Sequence, residues 1–131
     1  MPNAHLTGEA LCPGIETLES FRSYVRGAWR AETSIAPNDW CVSNPAVGQC
    51  AVTALVFQDL FGGELLRGRI LGGTHYWNRL PSGQEIDLTA EQFEFGPVVS
   101  DIELCSRAYV LSYPATNSRY RRLLAILGLQ P

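Results

Sequence analysis

"NPAVGQCAVTALVFQDLFGG", residues 44–63, decides how the rest of the chain is read. Between Trp40 and Gln58 no side chain carries a charge. From Gln49 to Phe61 the apolar residues Ala51, Val52, Ala54, Leu55, Val56, Phe57, Leu60 and Phe61 cover nearly the whole helical wheel, and Gly62-Gly63 supplies a C-terminal stop. A helix apolar on every side packs on every side, so this is the central helix. Cys50 stands at its start, just behind a Gly-Gln turn. It reads either as a small hydrophobe of the core or as a nucleophile, because unpaired N–H groups and aligned peptide dipoles at a helix N-terminus favour a thiolate.

Upstream, Ile15, Leu18, Phe21, Val25 and Trp29 recur at steps of three and four, with Glu16, Glu19, Arg22, Arg26 and Arg30 elsewhere on the wheel. That spacing predicts an amphipathic helix of about four turns, weakened slightly by Gly27. Before it, residues 1–14 read as a loose arm, with Pro2, Gly8, Pro13 and Gly14 breaking any periodicity. The Ser-, Pro- and Asn-rich connection over residues 33–48 delivers the chain to Cys50 and is long enough to serve a site or wrap the core.

Downstream, "ELLRGRIL", "THYWNRL" and "QEIDL" read as a three-stranded meander. If the three-residue loop pairs Leu80 with Gln84, His75 and Asp87 become diagonal neighbours on one face, together with Trp77, Arg79 and Glu85. Thr89 and Gln92 have the spacing of a capping box, which predicts a single helical turn. Residues 95–113 carry no decisive pattern. A last helix is expected with Asn117 or Ser118 as its cap, an apolar face of Tyr120, Leu123, Leu124 and Leu127, and Gly128 as its stop. The expected fold class is α+β: an N-terminal and a central helix against a small antiparallel sheet of three or more strands, then a C-terminal helix.

The chain has 131 residues, which fits a single domain over residues 1–131 with its own core. Its net charge is -3 and its basic residues are all arginine, which disfavours nucleic acid as a partner and rules out a catalytic lysine. No stretch is apolar for long enough to span a membrane and the opening residues lack a signal pattern, so no membrane association and a cytoplasmic location are expected. Cys12, Cys41, Cys50 and Cys105 form no C-x-x-C pair, and His5 and His75 are the only histidines. Neither a metal site nor a disulfide framework is expected, and the chemistry below calls for no cofactor.

Cys50, His75 at 25 residues further and Asp87 at 12 more have the order and element types of a nucleophile, its imidazole base and the carboxylate that orients the base. The backbone N–H of Cys50, with the side chain of Gln49 or Asn44, is a candidate oxyanion donor, and Trp77, Tyr76 and Trp40 are candidates for lining a pocket. Asp87 reads equally as a local cap for the turn that follows it. Asn78 is the alternative orienting residue, although in this register it points away. The group Arg119, Arg121 and Arg122 reads as a solvated helix face or as a site for an anionic partner.

A Cys at a helix start, a His on a strand and an Asp on the next strand resemble the core of transglutaminase-like and arylamine N-acetyltransferase-like enzymes in the papain-like cysteine superfamily. "NPAVGQCAVTALVFQDLFGGELLR", "HYWNRLPSGQEIDLTAEQF" and "LSYPATNSRYRRLL" more closely resemble the small bacterial YunG family, over about residues 16–127. The resemblance implies a compact papain-like or transglutaminase-like domain with Cys50, His75 and Asp87 at the triad positions, and it carries no substrate with it. The short Cys50-to-His75 separation leaves no room for a second lobe to wall a peptide cleft. The leading expectation is therefore a thiol hydrolase or acyltransferase acting on a small acyl or amide substrate or on an amide of a partner protein. The alternatives are a non-catalytic module that binds a small molecule or protein in the groove beside Cys50, and a redox-sensing thiol.

Overall fold

The computed structural model describes residues 17–93 and 96–129. The arm with His5 and Cys12, and Ile15 and Glu16 of the first helical stripe, lie outside the described residues. The first helix, α1 (Leu18–Ala28), is closed at its start by a reciprocal cap: Ser20 N–H donates to Thr17 Oγ1 at 3.1 Å and Thr17 N–H to Ser20 Oγ at 3.0 Å. It ends one residue before Trp29, whose backbone turns extended while the indole N–H donates to Thr53 Oγ1 at 2.9 Å. Trp29 thus belongs to the apolar stripe but not to the helix.

The central helix, α2 (Cys50–Phe61), begins on Cys50 itself and stops at Gly62. Its side chains from Val52 to Phe57 are all buried, as are Leu60 and Phe61, and the rings of Phe21, Phe57 and Phe61 pack together with centroids 4.8–6.2 Å apart. Burying each such aliphatic or aromatic side chain contributes about 1.5–3 kcal/mol, which makes this helix the axis of the core.

Four antiparallel strands, β1 (Glu64–Ile70), β2 (Gly73–Arg79), β3 (Glu85–Ile86) and β4 (Ser100–Cys105), lie in the order β3-β2-β1-β4. The fold is α+β, with α2 packed on β2 and β1 and in turn against a last helix. The meander has the expected register: Asn78 pairs with Ile86 and Arg79 with Glu85. Asn78 indeed faces the other way, donating from its buried amide to the Ala54 carbonyl at 3.0 Å. The fourth strand comes from the stretch without a readable pattern. Residues 100–104 are all exposed, so no buried periodicity marks the strand.

After the short α3 (Arg107–Leu111) comes α4 (Pro114–Leu127). The expected cap at Asn117 or Ser118 is corrected: the helix starts earlier, with Pro114 in its first turn, where a missing N–H costs nothing. Asn117 instead accepts from Arg121 Nε at 2.9 Å. Arg107 and Tyr120 both bond Asp59, at 2.6 and 2.5 Å, and so lock α3 and α4 to α2. Among the described residues no helix is long and apolar enough to cross a membrane.

The connection ahead of Cys50 is held by polar bonds. Ser34 Oγ donates to the Val47 carbonyl at 2.8 Å, Ile35 N–H donates to the Gly48 carbonyl at 3.0 Å, and Trp40 Nε1 donates to the Pro45 carbonyl at 2.8 Å. Gly48 has φ 73°, and a Cβ there would lie 2.2 Å from Ser34 Oγ and 3.0 Å from two backbone nitrogens. Gly48→Ala is therefore expected to destabilise the fold by about 2–3 kcal/mol through strain and clash, read as a lower urea midpoint at unchanged slope.

Candidate active site

Cys50 is half-buried and is the first residue of α2, so its N–H and those of Ala51 and Val52 have no intrahelical acceptor. Gln49 places it there. The Gln49 side chain is fully buried, its Nε2 donating to the Arg30 carbonyl at 2.9 Å and its Oε1 accepting from Thr33 Oγ1 at 2.8 Å. A helix start anchored this way cannot shift without leaving buried polar groups unpaired.

His75 lies on β2 and is 1% exposed. The register carries its Nε2 to 2.7 Å from Asp87 Oδ2, just past the end of β3. Trp77 stacks on the imidazole at 5.6 Å and is itself held by its Nε1 donating to Glu85 Oε1 at 2.9 Å, while Phe93 meets the ring edge-on at 5.1 Å. The other ring nitrogen, Nδ1, is buried and has no hydrogen-bond partner among the described residues. With Nε2 committed to Asp87, Nδ1 is the ring nitrogen left without a partner, and Cys50 lines the same cavity as the ring and contributes to holding its proton. Burial alone would pull the His75 pKa down. The hydrogen bond to Asp87 and the contribution of Cys50 outweigh it and raise the value to about 9.

Asp87 does two jobs that the sequence presents as alternatives. One oxygen holds His75; the other, Oδ1, accepts from Thr89 N–H at 3.3 Å and from Thr89 Oγ1 at 3.4 Å. The helical turn that follows, Ala90–Gln92, is not capped by the Thr89 side chain, because that hydroxyl turns back to Asp87. Gln92 then bridges the two halves of the site, with Nε2 donating to the Thr89 carbonyl at 3.1 Å and Oε1 accepting from Gly48 N–H at 3.3 Å.

Cys50 borders two cavities of about 240 Å³ each. One lies between it, His75, Phe93, Gln92 and the β1–β2 turn. The other runs to the C-terminal helices and takes in Val52, Tyr76, Val110, Tyr113, Thr116 and Arg119. A wider concavity of about 500 Å³ over β1 and β4 presents Arg67, Arg69, Asp101 and Glu103, which pair with one another and surround no nucleophile. Among the described residues no group of three His, Cys, Asp or Glu side chains is placed to hold a metal ion.

Cys50, His75 and Asp87 are thus brought together, whereas Gln49, Asn44 and Trp77 line neither cavity beside the thiol. The Gln49 amide is engaged inside the connection, Asn44 sits in the turn it forms with Cys41, and Trp77 lies on the Asp87 side against the imidazole. Of the suggested pocket aromatics, Tyr76 lines a cavity with Cys50, and Trp40 does not. Phe93, Val110, Tyr113 and Thr116 were not anticipated. Arg119 was grouped with Arg121 and Arg122, yet Arg122 pairs with Glu32 on the surface and Arg119 alone of the three turns to the cavity. Its i+4 neighbour Leu123 and i−3 neighbour Thr116 are both buried, which sets Arg119 beside the buried stripe of α4.

A protein-family model described as YunG protein matches residues 17–128. The chain is also 35% identical over 77 residues to the uncharacterized protein YunG of Bacillus subtilis (strain 168). That alignment covers 59% of this chain and 64% of the relative. No solved structure matches the chain.

A His75 pKa raised from 6.5 to about 9 on folding stabilises the protein fully below pH 6.5 and loses that contribution as pH rises through 9. One pKa unit is about 1.4 kcal/mol, so the loss is on the order of 3 kcal/mol at most. The wild type should lose urea stability from pH 6.5 to 9, and Asp87→Asn should flatten the slope. In a proton NMR titration one imidazole should titrate near 9; two titrating near 6.5 would refute the pairing.

Proposed function

The chain belongs to the YunG protein family, and on that premise we propose that it is a cysteine-dependent hydrolase or acyltransferase in which Cys50, His75 and Asp87 form the triad. One observation carries the reading: a fully buried imidazole is held by a carboxylate on one nitrogen, leaves its other nitrogen buried without a hydrogen-bond partner, and lines the same cavity as a thiol at a helix N-terminus. A buried polar atom without a partner is uncommon, and a core-filling role for His75 does not account for it. The order of Cys helix, His strand and Asp strand supports the finer reading of the fold as a papain-like or transglutaminase-like core.

With its pKa raised to about 9, His75 is an imidazolium at neutral pH, and an imidazolium facing the sulfur is the counter-ion a thiolate needs. In the proposed reaction the Cys50 sulfur forms a bond to the carbonyl carbon of an acyl or amide substrate, and the carbonyl electron pair moves to oxygen. The N–H of Cys50, free at the helix start, is placed to bind that oxyanion. Collapse breaks the bond to the leaving group, which takes the proton from His75. Water or an amine then attacks the thioester, His75 accepts the proton of the attacker, and the acyl group leaves the sulfur. Asp87 orients the ring throughout. Cavities of about 240 Å³ lie below the roughly 300–1,000 Å³ of drug-sized pockets, which favours a small acyl group. A reducing compartment such as the cytoplasm suits a nucleophile that must remain a free thiol.

Iodoacetamide labelling followed by mass spectrometry tests this reading. Cys50 should be alkylated at pH 6.5 at least about tenfold more slowly in His75→Ala than in the wild type, with exposed Cys41 unchanged as internal reference. Equal rates in both proteins would leave Cys50 as core filler or as the contact of a binding module. Reversible oxidation independent of His75 would instead favour a redox sensor.

A further inference from the structure

Arg119 differs from the other arginines of the described residues. Of the other nine, six pair with carboxylates, among them Arg107 with Asp59 and Arg122 with Glu32, Arg121 bonds the Asn117 amide, Arg30 donates to the Gly27 and Trp29 carbonyls, and Arg22 is exposed. Arg119 meets no carboxylate. Its Nη2 donates to Thr116 Oγ1 at 3.2 Å, and its Nε is buried without a partner. Burial pulls its pKa below the ordinary arginine range, with only the charge of Cys50 acting the other way. A guanidinium remains charged regardless and offers five donors in a planar fork matched to a carboxylate. Partly desolvating such a group without an acid costs stability, and among the described residues no carboxylate compensates for it.

This unpaired cation lies in the cavity that Cys50 shares with Val52, Tyr76 and Val110, whose walls are otherwise largely apolar. We propose that Arg119 is a specificity-determining residue: it receives a carboxylate carried by the substrate, whose apolar acyl portion fills the cavity as far as Cys50. A single guanidinium balances a monoanion; a phosphate dianion would leave one charge without a counterpart in an apolar pocket. The inference rests on Cys50 as nucleophile and adds the substrate class: short acyl or amide compounds bearing a carboxylate.

Two reagents with the same leaving group test it. Iodoacetate and iodoacetamide each form a carbon–sulfur bond at Cys50 as the carbon–iodine bond breaks and iodide leaves, and only iodoacetate carries a carboxylate. Because both consume the same thiolate, the ratio of their rates cancels any change in thiolate population. The iodoacetate-to-iodoacetamide ratio at Cys50 should exceed that at Cys41, drop at least about fivefold in Arg119→Gln and recover in Arg119→Lys. In the wild type, butyrate should slow iodoacetamide labelling of Cys50 and butyramide should not, a comparison that needs no variant. A ratio equal in wild type and Arg119→Gln while labelling still depends on His75, or equal protection by both compounds, overturns the role of Arg119 alone. Labelling that does not depend on His75 overturns the nucleophile reading itself, and the substrate class with it.

Discussion

His75 is 1% exposed, and burial on its own favours a neutral imidazole. The 2.7 Å hydrogen bond that Nε2–H donates to Asp87, together with Cys50, reverses that preference, and much of the surrounding structure serves to keep the carboxylate in place. Thr89 holds its second oxygen, Trp77 and Phe93 confine the ring, and Glu85 holds Trp77. Removing the carboxylate would leave a buried imidazole with both nitrogens unpaired, which is why the pair acts as a unit. The short β3 is part of the same device: it ends at Ile86, so the chain is free at Asp87 to turn its carboxylate both to the ring and to the backbone ahead.

The thiol is set by different means. Cys50 opens α2, most of whose side chains are buried, and the helix start is anchored by Gln49 to Arg30 and Thr33. Gln92 links this half to the other, bonding the Gly48 N–H at one end of its amide and the Thr89 carbonyl at the other. A reactive geometry needs its groups held within a fraction of an ångström by neighbours that are themselves fixed. Here the supporting groups are buried or half-buried amides and rings drawn from three separate stretches of chain. The C-terminal helices contribute none of Cys50, His75 and Asp87; they close the cavity beside Cys50 and bring Arg119 into it.

How much was legible depended on how local each signal was. The central helix, the meander and its register followed from apolar patterning and a three-residue loop, and with them came the diagonal approach of His75 to Asp87. Fourth-strand β4 escaped notice because its exposed side chains carry no buried period. The start of α4 was misplaced by one turn because Asn117 and Ser118 are favoured cap residues, whereas Pro114 already opens the helix.

By itself, then, the sequence determined which residues could do chemistry and that they sit on a buried helix and an adjacent hairpin, because periodicity and turn length act over a few residues. Only the tertiary structure decided what faces what. Gln49 is turned into the connection and away from the cavity, Trp77 supports the imidazole, and Arg119 alone of its arginine cluster enters the pocket. Those outcomes depend on contacts between segments dozens of residues apart, and on which buried polar group finds a partner first. No local pattern records that competition.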